Sequence, residues 1–300
     1  MPDNPLVSVV VPVFNRETLI LRCLASIQRQ TWQDWEAIIV DDGSLDGTGR
    51  VVEGLAREDS RITLIRLNTN RGAQAARNVG IRTSRGQWVA FLDSDDQFIP
   101  QSLHLRLTAA GETGSPVVHS DCLALKGDGS TRRYGVKPLS GRVYSDLLKG
   151  EGPVFPALLV MRSALERIGL LDERVVAFQE WDTAIRLARH YEFTFVDEPT
   201  FIYDRTRSDS ISKNWLQGGR GYEQVVRKHF LAMLWHGGPR VLAKHYRNAA
   251  RWYQKGGAHL AVLRCQMLAF LGTALDIRAP LDRLRRLAHL VGGSTQESGR

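Results

Sequence analysis

Three hundred residues with 43% apolar and 24% charged side chains have the balance of a globular chain large enough for a substantial core. That composition excludes collagen-like, intrinsically disordered and multi-span membrane classes. The formal charge of +8 is uneven: residues 213–300 hold 15 Lys and Arg against 4 Asp and Glu, and residues 1–212 are slightly acidic.

A basic C-terminal stretch calls for an anionic partner: nucleic acid, lipid headgroups or an acidic substrate. Cys23, Cys122 and Cys265 lie far apart. They exclude a disulfide scaffold and a cysteine-based zinc site, and they suit a reducing cytoplasm. Met1-Pro2-Asp3-Asn4-Pro5 lacks the basic start of a signal peptide. No uncharged run reaches the roughly 18 residues of a membrane span.

Leu6–Val13 is a continuous β-rich apolar run and predicts a buried strand. Asn15 is placed to cap a helix over Glu17–Gln30, with Leu21, Leu24, Ile27 and Gln28 inward. Strands follow at Glu36–Val40, Ile62–Leu67 and Trp88–Leu92, alternating with helices over Gly47–Ala56 and Ala73–Thr83. This alternation predicts a parallel sheet covered by helices on both faces. Residues 111–153 read as a hairpin and loops, with strand pieces at Val117–Ser120 and Cys122–Leu125. Short helices are expected at Arg162–Gly169 and Glu180–His190, and short strands at Phe193–Val196 and Phe201–Tyr203. The pattern then turns helical over Tyr222–Trp235, Pro239–Lys255, Ala258–Ile277 and Pro280–Leu290. Paired glycines at 218–219, 237–238 and 256–257 punctuate it.

Two acidic runs, Asp41-Asp42 and Asp93-Ser94-Asp95-Asp96, fall at carboxyl ends of predicted strands. In open α/β sheets ligands gather there. Crowded carboxylates raise one another's pKa, and a divalent cation relieves the conflict. Oxygen ligands of this kind suit Mg²⁺ or Mn²⁺ held jointly with substrate phosphates. A solvated loop with Asp96 as a helix cap explains the second run equally well. Taken alone, Asp41–Thr48 reads first as a turn and a cap, and otherwise as a carboxylate receiving a base N–H or a ribose hydroxyl. Arg71 and Arg77 open and follow the 73–83 helix, either to pair with phosphate or to cover the sheet.

The order of VSVVVPVFNR, QTWQDWEAIIVDDGSLDGT, NRGAQAARNVGI and GQWVAFLDSDD resembles the family 2 glycosyltransferases. The likeness covers about the first hundred residues, and the four motifs together are specific. It implies a GT-A fold: an α/β, Rossmann-like, mixed and mostly parallel sheet with helices on both faces. Residues 1–212 would form this domain, with 1–110 on the nucleotide-sugar side and 111–212 on the acceptor side, and 213–300 would be a basic helical extension. The resemblance also implies an inverting transfer from a nucleoside-diphosphate sugar, a UDP-sugar first among them, to a glycan or lipid-linked acceptor. Mn²⁺ or Mg²⁺ would assist, and the setting would be bacterial surface polysaccharide synthesis at the cytoplasmic side of the membrane.

By motif position, Pro12, Val13, Phe14 and Asn15 would border the nucleotide, with Phe14 where the family commonly has tyrosine. Asp42 would contact the base with Asp41 in support. Asp93-Ser94-Asp95 would be the DxD-type motif: Asp95 the leading metal ligand, Asp93 on ribose or metal, Asp96 a rival ligand. In Phe178-Gln179-Glu180-Trp181-Asp182 the family's Glu-Asp pair is altered, leaving Glu180 as general base and Asp182 as the alternative. Arg205 and Arg207 match a segment that folds over the diphosphate in relatives, with Arg207 where histidine is common. Two other classes stay open: a nucleotidyltransferase, for which the first strand lacks a glycine-rich phosphate loop, and a silent binding protein. No nucleic-acid-binding motif appears in the tail, so nucleic acid is not expected as a partner, and a peripheral contact with anionic membrane is left open.

Overall fold

A computed structural model describes residues 7–204, 206 and 214–274. The chain divides into two compact units, Met1–Lys213 and Asn214–Arg300.

The first unit is built on one nine-stranded mixed sheet in the order β3-β2-β1-β4-β8-β6-β9-β5, with β7 beside β6. Strand β1 (Val7–Val13) is buried along its whole length, as its largely apolar run requires, with Ser8 donating to Glu36 at 2.6 Å. It is followed by α1 (Ile20–Gln28), β2 (Trp35–Asp41), α2 (Thr48–Glu58), β3 (Ile62–Arg66), α3 (Ala73–Thr83) and β4 (Trp88–Phe91). β2 and β4 flank β1, and β3 extends the β2 side, all parallel. The chain therefore winds outward from β1 through β2 to β3, then returns to the other side of β1 as β4. The reversal opens a crevice between the carboxyl ends of β1 and β4, where such sheets bind ligands. Pairing of β4 with β1 ends at Val10 and Phe91. Pro12 follows that point. Since Val13 O accepts from Asp42 N on the β2 side, the missing N–H of Pro12 faces the side where pairing has ended.

Beyond β4 come β5 (Gln97–Phe98), α4 (Ser102–Thr113), β6 (Val117–Leu125), β7 (Thr131–Arg133), α5 (Tyr144–Lys149), β8 (Leu159–Met161), α6 (Arg162–Arg167), α7 (Gln179–Ala188) and β9 (Phe193–Asp204). The two strand pieces expected at 117–125 form one strand, β6. Its register against β9 slips around Asp121, and that irregularity hides its continuity. The pieces at 193–203 likewise form the single β9. Helices α4 and α5 are additions: the first follows β5 and the second lies within the stretch read as hairpin and loops.

The second unit consists of α8 (Trp215–Lys228), α9 (Phe230–Lys255) and α10 (His259–Ala274). The expected break at 237–238 is present, since Gly238 leaves helical geometry at φ 71°. Gly218 and Gly219 do not punctuate; they lie inside α8. A Cβ on Gly218 would meet Trp252 at 2.5 Å and one on Gly219 would meet Tyr253 at 2.8 Å, so these glycines let α8 approach α9 closely. The helix expected over Pro280–Leu290 lies outside the described residues.

Candidate active site

The loop after β1 and the loop after β2 are stitched together at the mouth of the crevice. Asn15 N donates to Ser44 Oγ at 2.9 Å, and Asn15 Oδ1 accepts from Leu45 N at 2.9 Å. Arg16 N donates to Thr48 Oγ1 at 2.8 Å, and Glu17 Oε2 accepts from Gly47 N at 3.0 Å. Asn15 is therefore not the helix cap it resembles. It sits at φ 53°, in the left-handed region that asparagine tolerates, and α1 starts five residues later. Leu21, expected inward, is half exposed, whereas Leu24 and Ile27 are fully buried. The Phe14 ring stands 38% exposed on this rim, free to meet a flat partner.

Asp41 and Asp42 are both buried. Asp41 Oδ1 accepts from Ser44 N at 2.9 Å, tightening its own turn, and its Oδ2 lies 3.5 Å from Arg66 Nε. The Asp42 carboxylate accepts from Arg71 N and Gly72 N, both at 2.8 Å, and so fixes the start of α3 against the end of β2. Gly43, at φ 77°, has Thr69 backbone 3.0 Å from where a Cβ would be, which ties this turn to the same loop.

The acidic run after β4 has internal order. Asp93 Oδ1 accepts from Arg77 Nη2 at 2.6 Å. Arg77 is buried, lies 4.3 Å over the Phe155 ring and also donates to Gln74 Oε1 at 3.0 Å. It therefore grips the first aspartate instead of lying open for phosphate. The guanidinium of Arg71 is half exposed, 3.6 Å from Glu173. Ser94 is buried and Asp95 partly exposed. Asp96 is 1% exposed. Its Oδ1 accepts from Asp204 N at 3.0 Å, while its buried Oδ2 has no hydrogen-bond partner among the described residues. Burial, followed by the charges of Asp93 and Asp95, pushes the Asp96 carboxyl well above the usual range. Asp96 does not cap a helix; Gln101 occupies the position before α4.

A side chain with no sequence signal, Arg22 of α1, closes the arrangement. Its Nη2 donates to the Asp95 carbonyl at 2.7 Å and to the Asp204 carboxylate. Asp204 also accepts from Thr206 N and Thr206 Oγ1. The acidic run is thus joined to the end of β9. Arg205 and Arg207, the arginines expected to reach a diphosphate, lie outside the described residues. A second unforeseen clamp is Asn78: its Oδ1 accepts from Leu171 N, and its Nδ2 donates to Leu171 O and Glu173 Oε1.

Helix α7 separates the two candidate bases. Phe178 precedes it at φ 58°, and Asp182 is fully buried, 3.6 Å from Arg186 one turn on. Trp181, also buried, donates from Nε1 to Leu147 O at 2.7 Å. Glu180 is partly exposed. Burial raises its carboxyl from 4.5 to about 7; the Arg77 charge opposes the rise, and those of Asp93 and Glu151 add to it. The carboxylate able to hold a proton near neutrality is therefore the one near the acidic run and Arg77.

The carboxylates present fit a divalent cation of the Mg²⁺ or Mn²⁺ kind. Among the described residues no three Asp, Glu, His or Cys side chains make a closed cage. The aspartates of this run, with the Asp96 oxygen that has no partner among the described residues, would provide the one or two carboxylates such an ion takes when phosphates complete its shell.

Residues 8–169 match the family model described as glycosyl transferase family 2. A GalNAc(5)-diNAcBac-PP-undecaprenol beta-1,3-glucosyltransferase of Campylobacter jejuni is 29% identical over 290 residues, 92% of this chain and 91% of that one. The fold is similar to that of S. aureus TarS 1-349 in complex with UDP-GlcNAc, with a TM-score of 0.64 and 16% identity over 87% of this chain and 89% of that one. It is also similar to the mannosyltransferase PcManGT from Pyrobaculum calidifontis in complex with GDP-Man and Mn²⁺, with a TM-score of 0.59 and 19% identity over 92% and 89%.

Proposed function

The chain belongs to glycosyl transferase family 2, and on that premise we propose that it moves a sugar, with inversion, from a nucleoside-diphosphate sugar to a hydroxyl of a glycan or lipid-linked acceptor. The observation that carries the reading is the acidic run at the carboxyl end of β4, where Arg77 holds Asp93 at 2.6 Å and Asp96 is buried, with the Glu180 carboxyl pushed up by burial near it. The acceptor oxygen bonds to the anomeric carbon as the bond from that carbon to the diphosphate oxygen breaks. The electron pair leaves on the diphosphate, and the acceptor proton passes to Glu180. A single displacement needs no covalent intermediate, hence no nucleophilic triad.

Phe14 and the Asp41–Ser44 turn form the rim where the base sits, with Pro12 and Val13 beneath and Asn15 holding the turn. Asp95 is the leading ligand for Mn²⁺ or Mg²⁺, Asp93 is held for ribose or metal by Arg77, and Asp96 is the inward neighbour. A cation bound there supplies charge stabilisation to the leaving diphosphate. Arg205 and Arg207 serve the same end. The PP-undecaprenol acceptor in the name of the Campylobacter relative supports a lipid-linked acceptor. The nucleotide-sugar complexes of the two structural neighbours support the donor class.

The experiment is a screen of UDP- and GDP-sugars with Mn²⁺, reading nucleoside-diphosphate release and the anomeric configuration of the product. Donor-dependent release that Asp95→Ala abolishes, with the unfolding midpoint unchanged, is expected. Equal turnover of Asp95→Ala at saturating donor removes the metal assignment, and a product of retained configuration removes the single displacement.

A further inference from the structure

The helical unit carries two exposed stripes that the proposed reaction does not use. After the break at Gly238, α9 presents Arg240, Lys244, Arg247, Arg251 and Lys255 to solvent. Their steps of four, three, four and four residues place them on one helix face. Glu223 is the one acidic residue between 214 and 274. It is buried, and Arg227, Arg264 and Tyr253 all donate to it. With 15 Lys and Arg against 4 Asp and Glu in residues 213–300, whatever pairs form leave the unit strongly positive.

The second stripe belongs to α10. Its inner face is made of small residues: Cys265 and Ala269 are buried, and a Cβ on Gly272 would lie 3.0 Å from Pro239 O. Its large apolar residues point the other way, with Leu260 85%, Met267 66% and Phe270 71% exposed, and Leu263 between them on the same face. Leu231 and Trp235, at the start of α9, are 78% and 87% exposed. A helix apolar on both faces is normally covered on both. Among the described residues no helix is long and apolar enough to cross a membrane.

We infer that the C-terminal helical unit docks on an anionic lipid surface, with α10 seated at the acyl boundary through Leu263, Met267 and Phe270 and the α9 cations meeting the headgroups. Apolar insertion and charge attraction act together in such binding, and neither alone holds a protein firmly. The charge surplus selects an anionic bilayer over a neutral one. Docking would hold the enzyme where a lipid-linked acceptor lies; only this clause rests on the proposed function, and vesicle binding is read without donor or acceptor.

The test is co-sedimentation of the full chain with phosphatidylcholine vesicles, with and without phosphatidylglycerol, over a salt series. Binding is expected only to the anionic vesicles and should fall steeply as salt rises. Arg251→Gln should weaken it roughly fivefold, the worth of one interfacial cation. Phe270→Asp should abolish it at all salt concentrations, and the milder Met267→Gln should lower it without loss of helical circular dichroism. Transfer to a short soluble acceptor should be the same in wild type and Arg251→Gln. A wild-type chain that stays in the supernatant at low salt overturns the inference. So does resistance of Met267 to peroxide oxidation in the free protein, which would mean that the stripe is already covered. Binding to duplex DNA as tight as to anionic vesicles at the same salt would overturn the lipid assignment.

Discussion

Glu180 and Asp182 lie two positions apart on α7, and a helix turns roughly 200° over two residues. One therefore faces the acidic run and the other the core. The difference fixes the expected pH behaviour. The fold favours the neutral form of Glu180, whose carboxyl moves from 4.5 in a free chain to about 7. Stability from this group is present at low pH and declines as pH rises from 4.5 towards 7, because the unfolded chain releases the proton first. Activity runs the other way, since a general base must be ionised. The rate kcat/KM at subsaturating acceptor should rise through an apparent pKa near 7, and Glu180→Gln should remove that limb along with most of the rate. A flat profile in the wild-type enzyme between pH 5 and 8 would show that this carboxyl does not limit the reaction. Sequence alone left the two acids as alternatives because a motif fixes spacing but not which way a helix is rolled. The roll is set by Trp181, Ile185 and Ala188 packing inward.

At the scale of elements, the loop after β1 acts as a staple rather than a helix start. Asn15, Arg16 and Glu17 spend their polar groups on residues 44–48 of the next loop. Asn15→Ala should therefore cost more than a cap: it loses an acceptor for Leu45 N and places alanine at φ 53°. A destabilisation of about 1–2 kcal/mol is expected from these two effects, with weaker nucleotide binding. Asn15→Gly should recover the backbone part alone. Equal unfolding midpoints and nucleotide affinities for wild type and Asn15→Ala would refute the staple.

The same loop shows how far sequence reading reaches. The parallel strands were legible because apolar and β-branched residues dominate them, and α3 because its punctuation is local. The start of α1 was not, since Asn15 looks like a cap and its true partner lies 30 residues away. Helix α4 was hidden by Arg106, which sits fully buried. It donates to the carbonyls of Pro156 and Leu158, and burial brings its pKa down to about 9. A charge in the core interrupts the 3.6-residue period on which helix recognition depends. Arg22 was invisible for a related reason: its partners, Asp95 and Asp204, are 73 and 182 residues away in sequence.

For the whole molecule, the site draws on segments from Pro12 to Asp204, and only the sheet's reversal between β3 and β4 brings them to one crevice. The acidic character of residues 1–212 and the positive charge of 213–300 divide along the same line as the two units. Catalysis and docking are accordingly assigned to different parts of one chain. In the proposed reaction the crevice performs an inverting transfer with Glu180 as its base. Single-turnover transfer from a pre-bound donor, compared across wild type, Glu180→Gln and Asp182→Asn, tests it most directly. A loss of roughly 10²–10⁴ in rate is expected for Glu180→Gln with donor affinity little changed. Near-normal rates are expected for Asp182→Asn below a lowered unfolding midpoint, because that side chain is buried beside Arg186. A wild-type rate in Glu180→Gln, or a lost rate in Asp182→Asn with donor binding and midpoint intact, would contradict this reading.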